Sequence, residues 1–383
     1  MRIRVLSIFF VFFIMGFGDI VGTLVAFARE EFEISKSIAG LLPFVGFIAY
    51  GILSVPFGVL SDRKGKRFVM LSGLIIVFTG FLIPIISISS FYLLLLSIFL
   101  VGTGVTVLQV AGNPIMRDVS GEGKFSRNLT FAQFIKAIGS LTGPFIIGLL
   151  ILKNWKNLFP LYAMITAITL LMIFFFRIKE KSVGKKERAS IRSSFALLGD
   201  PYIFIMVFGI FLYVGAEVGI NSWIATYLND LFNIDIKSLA TLSIGFFFFS
   251  LMIGRLLGSI ILNWISPSKF FLLTSILSVF GILGLFIRIK FIIIGSIFLT
   301  GLAFGNIFPL IFSILVDKFP EKNNELSGLL VMAIVGGAII PFFMGIIADF
   351  SVTLTFLIPL ASVIFITFAS VLTLKKGADG LQK

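Results

Sequence analysis

Three charged side chains stand where charge is rarely tolerated. Asp19, Lys136 and Glu217 each fall within a long apolar run. A carboxyl group taken out of water gains proton affinity, and its pKa rises toward neutrality. Such a group can load and release a proton under ordinary conditions, and ionisable groups inside apolar spans are functional by default. The chain holds no histidine and no cysteine. That removes imidazole relays, thiol chemistry, disulfides and Cys/His metal sites, and no metal or cofactor is expected. Protonation then falls to Asp19, Glu217 or a lysine of depressed proton affinity. Lys136 leaves several readings open: a pair with Asp19, titration in its place, replacement of a coupling cation, or capture of an anionic ligand. For Glu217 a structural role stands beside the chemical one.

A second set is neutral. Gln109, Asn113, Gln133, Asn221 and Asn306 offer paired donors and acceptors within apolar surroundings. A polyhydroxylated ligand such as a sugar needs those pairs, together with an aromatic face to lie on. Trp223 can supply the face, although tryptophan equally anchors helices at a membrane interface. Arg255 falls toward the inner end of its run, where gating suits it better than binding.

The elements that position these residues follow from composition. The chain is 58% hydrophobic and 13% charged, with a mean hydropathy of +1.13. Soluble proteins carry about 25% charged residues, so the surface of this 383-residue chain must face lipid. Apolar runs fall at approximately 4–28, 37–61, 67–88, 91–117, 127–152, 157–177, 202–228, 238–263, 269–288, 291–316, 325–349 and 352–374. Each meets the roughly 20 residues that a membrane-crossing helix requires. Unpaired backbone cannot stand in lipid, and the runs do not alternate as barrel strands do, so helices are the only fit. Met1-Arg2-Ile3-Arg4 and the run after it read as the first span, because the run contains Asp19 and no convincing cleavage site.

The net charge of +13 is spread through short loops. Of the 31 lysines and arginines, 22 fall on the side that holds both termini. This excess sets the termini in the cytoplasm and makes a nucleic-acid partner the weaker reading. The polar stretch Arg177–Arg192 reads as a linker, 178–199, between two six-helix bundles, 1–177 and 200–383. The halves repeat. Asp19 and Glu217 lie 198 residues apart, Pro144 and Pro341 lie 197 apart, and Pro114 and Pro309 lie 195 apart. Near-equal offsets between paired helices are the mark of a duplicated unit. The expected fold class is therefore all-α integral membrane, with twelve transmembrane helices in two pseudo-symmetric bundles.

Between the second and third runs stands Gly58-Val59-Leu60-Ser61-Asp62-Arg63-Lys64-Gly65-Lys66-Arg67. Gly58 permits close helix approach, Gly65 a tight turn, and Asp62 can meet a neighbouring helix N-terminus. The stretch resembles the loop signature of the major facilitator superfamily, G-x-x-x-D-[RK]-x-G-[RK]-[RK], at every defined position. Further matches run in order along the chain: Gln109 to Pro114, Asn128 to Gln133, Gly215 to Ile224, and Ser327 to Pro341. These resemble segments of the fucose/proton and glucose/galactose symporters. The resemblance implies gating for Gly58, Asp62, Arg63, Gly65 and Arg67, and proton coupling for Asp19. It also marks two departures: Gln109 stands where the fucose symporters carry a glutamate, and Lys136 where they carry an asparagine.

The reading is a secondary transporter of a hexose or deoxyhexose, such as fucose, glucose or galactose, working by alternating access as a proton symporter. Sodium remains a second candidate ion. Its partners would be the lipid bilayer and a small sugar, with the binding site near the midplane between the bundles and the protein a monomer in the cytoplasmic membrane. The alternatives are uptake of an anionic sugar derivative or drug efflux. The sequence contains no soluble domain and no catalytic constellation, so an enzyme or sensor is not expected. Neither a filter-like loop nor a ring of charge suggests a channel.

Overall fold

The computed structural model describes the chain except residues 1, 22–23, 25–26, 29–30, 35–37, 39–40, 150–154, 177, 179, 181–188, 233–235 and 380–383. Most of the basic linker therefore lies outside the described residues. The described residues form helices and no strands. In chain order the helices are α1 (Arg2–Met15), α2 (Leu41–Lys64), α3 (Lys66–Ile86), α4 (Phe91–Val119), α5 (Phe125–Leu149), α6 (Leu158–Phe175), α7 (Ile191–Ala196), α8 (Pro201–Phe232), α9 (Ile236–Ile261), α10 (Pro267–Leu285), α11 (Lys290–Lys318), α12 (Asn323–Met332), α13 (Gly336–Ala348) and α14 (Leu357–Asp379). Each of the twelve apolar runs holds a helix. The eleventh is α12 and α13 joined through a 3₁₀ turn at Ala333–Val335. Among the described residues, nine helices are long and apolar enough to cross a membrane, and two shorter apolar helices, Leu6–Asp19 and Gly245–Ile261, accompany them.

Local chemistry fixes where helices begin. Ser90 caps α4 by accepting from the Leu93 amide, and Asp200 caps α8 by accepting from the amides of Tyr202 and Ile203. Pro267 opens α10, where its missing N–H is no loss. Hydroxyls within the spans mostly return to their own helix. Thr106, Thr166, Ser278 and Thr300 each donate to the carbonyl four residues back, which satisfies them without any ligand. Outward faces carry large apolar side chains, with Phe291 and Phe350 each more than four-fifths exposed.

Interior prolines leave a carbonyl without its helical donor, and three of these carbonyls are met from another helix. Pro84 frees the Gly80 carbonyl, which accepts from Ser97 at 2.8 Å. Pro114 frees that of Val110, which accepts from Ser327 at 2.8 Å. Pro309 frees that of Gly305, which accepts from Arg255 Nε at 3.3 Å. In apolar surroundings an unmet carbonyl is costly, so these donors hold the bends in place.

The chain forms two compact units that do not follow chain order. One comprises Met1–Glu122, Ile135–Leu197 and Phe319–Met332; the other comprises Gly123–Phe134, Leu198–Lys318 and Ala333–Lys383. Each contains one helix crossing of the same design. In the first, a Cβ on Gly139 of α5 would run into the carbonyl oxygen of Phe13 on α1. In the second, a Cβ on Gly336 of α13 would run into that of Phe211 on α8. Phe13 and Phe211 are 198 residues apart, Gly139 and Gly336 197. These are the offsets of the sequence repeat, recovered as backbone contacts.

Candidate functional site

In the first unit the α1–α5 crossing carries Asp19. The helix tightens into a 3₁₀ turn at Gly16–Ile20, and a Cβ on Gly16 would meet the Lys136 carbonyl and the Ser140 amide. That close approach delivers the exposed Asp19 carboxylate to Ser140, whose hydroxyl donates to it at 2.5 Å. Among the described residues no ion pair joins Asp19 to Lys136. Ser140, one turn further along α5, occupies the carboxylate instead. Lys136 itself is half-buried.

The neighbouring helices close around this turn. A Cβ on Gly18 would touch Val105 of α4 at 3.3 Å, and one on Gly46 of α2 would touch Val21 at 3.8 Å. One turn beyond each of those contacts, Gln109 Nε2 donates to the Tyr50 hydroxyl at 2.9 Å, both side chains being buried. Asn113 follows Gln109 by another turn and is fully buried. Gln109, Asn113 and Tyr50 thus lie buried in this unit, while Asp19, held by Ser140, stands exposed at the same set of helices.

The second unit groups Glu217, Asn221, Gln133, Asn306 and Arg255. Tyr213, Glu217 and Asn221 stand one turn apart on α8 and so share a face. The buried Tyr213 hydroxyl lies within reach of both the Glu217 carboxylate and the Arg255 guanidinium, aligned for a hydrogen bond with neither. Arg255, 7% exposed, donates from Nε to Gly305 and from Nη1 to the Gln133 carbonyl at 3.2 Å. Asn306 donates to the Gly254 carbonyl at 3.0 Å and lies over Gly258, where any Cβ would strike it. Its amide is thereby committed to the α9–α11 crossing, while its Oδ1 and the Oδ1 of Asn221 remain buried without a partner. Trp223 is half-buried with its ring edge 3.4 Å from the Cβ position of Gly345.

The loop after α2 is tied into the first unit. A Cβ on Gly58 would meet the Asn324 carbonyl at 2.8 Å, and Gly65 has φ +91, a conformation reserved for glycine. Asp62 accepts from the Ala189 amide at 3.0 Å, just before α7, and from Asn324 Nδ2 at 3.1 Å, at the start of α12. Arg63 donates to the Ala189 carbonyl, and Arg67 to the Ile173 and Phe174 carbonyls. Glu180 caps α3, accepting from the amides of Lys66 and Arg67 at 2.9 Å each. A buried ion pair, Lys66–Asp118 at 2.6 Å, and a Ser193–Glu325 hydrogen bond complete the cluster.

Sequence reasoning passed over Tyr50, Ser140, Tyr213 and Glu180. Ser140 and Tyr213 carried a usable signal, since each lies one helical turn from a residue already singled out. Tyr50 and Glu180 reach their partners from other segments, so no spacing rule exposes them.

The family model described as Major Facilitator Superfamily matches residues 6–334. The chain belongs to the major facilitator superfamily. A glucose/galactose transporter of Brucella abortus is 30% identical to this facilitator, over 94% of this chain and 92% of its own. An L-fucose-proton symporter of Haemophilus influenzae is 23% identical, covering 88% and 87%. Among solved structures, FucP in an outward conformation aligns with a TM-score of 0.82 at 17% identity, over 96% of this chain and 98% of FucP. The fold is thus that of a multi-pass facilitator, the helices expected from the apolar runs are those of the family, and the relatives are transporters, not enzymes.

Proposed function

We propose that this protein moves a hexose or deoxyhexose across the cytoplasmic membrane by alternating access, coupled to protons. The observation that carries the reading is Asp19: an accessible carboxylate within an apolar span, bonded by a hydroxyl and, among the described residues, by no cation. A hydroxyl can serve both protonation states, donating to the carboxylate and accepting from the acid. A cation would hold the group ionised. The near end-to-end similarity to glucose/galactose transporters supports a neutral sugar as cargo. Gln109, Asn113, Gln133, Asn221, Asn306 and Trp223 are the proposed sugar contacts, with Asn221 best placed through its unmet Oδ1. Gly58, Asp62, Arg63, Gly65 and Arg67 form the proposed gate, with Arg255 bracing the bend at Pro309. Both termini lie in the cytoplasm, the two halves 1–177 and 200–383 are the repeated units, and the protein acts as a monomer in the bilayer.

The test is uptake of labelled sugars into proteoliposomes, with and without an inward proton gradient, by wild type and Asp19→Asn. Gradient-driven uptake of glucose, galactose or fucose that the substitution abolishes is the expected result. One observation favours a second reading. Lys136 has no ion-pair partner among the described residues, and a half-buried ammonium would suit the carboxylate of a sugar acid. Uptake of a uronate or aldonate, with no uptake of any neutral sugar under either a proton or a sodium gradient, would replace the first reading with this one.

A further inference from the structure

Gln109 is a sugar contact in the reading above, and one end of its amide is already held. A glutamine amide has N–H donors at one end and a carbonyl acceptor at the other, and half a turn about its last side-chain bond exchanges the two. Where such an amide reads a ligand, a third group must choose the end it presents. Gln109 Nε2 donates to the Tyr50 hydroxyl at 2.9 Å. The nitrogen therefore faces α2, and the carbonyl oxygen is turned away from it. Oε1 takes no hydrogen bond among the described residues.

The backbone makes that choice firm. α2 and α4 meet at two glycines: a Cβ on Gly102 would strike the Gly46 carbonyl oxygen at 2.6 Å. Tyr50 follows Gly46 by one turn and Gln109 follows Gly102 by two, so the close crossing delivers the phenol to the amide. Tyr50 is 7% exposed and Gln109 1%, which keeps water from competing for the bond. Neighbouring hydroxyls are spent on their own helices, Ser54 donating to the Tyr50 carbonyl at 2.6 Å and Thr106 to the Gly102 carbonyl at 2.8 Å.

We propose that Tyr50 is a positioning residue that sets sugar specificity: by accepting from Nε2 it fixes the Gln109 amide with Oε1 toward the sugar, so the hydroxyl meeting that oxygen is read as a donor. The inference rests on the sugar reading above and on Gln109 as a contact. Without the phenol oxygen the amide is free to turn over, and the same hydroxyl can then be met by an N–H. A fluorine in place of that hydroxyl accepts weakly and never donates. It is therefore refused by the fixed amide and admitted by the free one.

The experiment is competition against uptake of whichever of glucose, galactose or fucose the wild type carries. The competitors are its monodeoxy and monodeoxyfluoro analogues, taken position by position around the ring, with wild type and Tyr50→Phe in proteoliposomes. In wild type, one position should reject the fluoro and the deoxy analogue alike, each on the order of tenfold weaker than the parent sugar. In Tyr50→Phe the fluoro analogue at that position should recover several-fold over its deoxy partner. A fluoro-to-deoxy ratio that stays at the wild-type value overturns the proposal, as does an affinity loss equal for every sugar, which would make Tyr50 a packing residue. Should Tyr50→Phe fail to fold, the wild-type panel decides: a fluoro analogue that outbinds its deoxy partner at every position leaves no hydroxyl read as a donor, and the proposal falls. Absence of uptake of any neutral sugar would sink the cargo reading itself, a result seen before any analogue is tried.

Discussion

The two halves of this transporter repeat a crossing and then diverge in what surrounds it. Around Asp19 the partners are neutral: Ser140 donates to it, and Tyr50 with Gln109 stands behind. On the other side, the Tyr213 hydroxyl one turn from Glu217 feels both that carboxylate and a buried guanidinium, Arg255. The prolines follow the same division. The carbonyl released by Pro114 is met by a serine, and the one released by Pro309 by that same arginine. On the proposed coupling, one half is equipped to change charge, whereas the other is equipped to keep it. Duplication supplies the geometry, and substitution at a few neighbouring positions assigns each copy its work.

The sharpest way to break this comparison is at the shared crossing. Gly139→Val and Gly336→Val each press a side chain onto a backbone carbonyl, and overpacking of that kind costs about 1–3 kcal/mol or more. Both should lose most of their monodisperse yield in detergent. A benign Gly336→Val beside a ruinous Gly139→Val would show that the crossings are not equivalent.

Next come the carboxylates. Asp19→Asn should abolish gradient-driven accumulation while leaving the melting temperature near that of wild type. Glu217→Gln should do the reverse in emphasis, lowering thermal stability by about 1–3 kcal/mol because the guanidinium loses a nearby anion. Equal coupling defects in the two variants, read as the ratio of accumulated to exchanged sugar, would erase the distinction.

The proline braces give smaller effects. Arg255→Met strands the Gly305 carbonyl and also removes a charge-assisted bond to the Gln133 carbonyl, at about 1.5–3 kcal/mol per bond, while Ser327→Ala removes only the neutral bond that meets the Val110 carbonyl. Thermal melts should therefore rank Arg255→Met well below Ser327→Ala. Ser97→Ala, which unmakes the brace at Pro84, should cost about 1 kcal/mol and leave transport intact.

Much of this was legible before any coordinates. Apolar runs twenty residues long have one solution in lipid, so the twelve helices could be drawn within a few residues of their ends. The repeat could be read because Asp19, Pro144 and Pro114 each find a counterpart at nearly one spacing. What lay hidden was contact between helices distant in sequence. The Asp19–Lys136 pair looked reasonable on charge alone, but Gly16 seats α1 so deeply on α5 that Ser140 receives the carboxylate. Asn306 read as a sugar ligand, yet its amide is largely spent on Gly254, an arrangement visible only once Gly258 is seen to leave room for it.

The cap that Glu180 provides for α3 bears on how the protein can be cut. Glu180, Ala189 and Ser193 bond respectively to α3, Asp62 and Glu325, all of them within the first compact unit. Two polypeptides separated at residue 178 would take that fastening away from the first fragment, whereas separation after Leu197 keeps the bonds of Glu180 and Ala189 within it and leaves Ser193–Glu325 as a bond between the fragments. A reporter domain or a split version of the transporter belongs at that later seam, where the chain passes from one compact unit to the other.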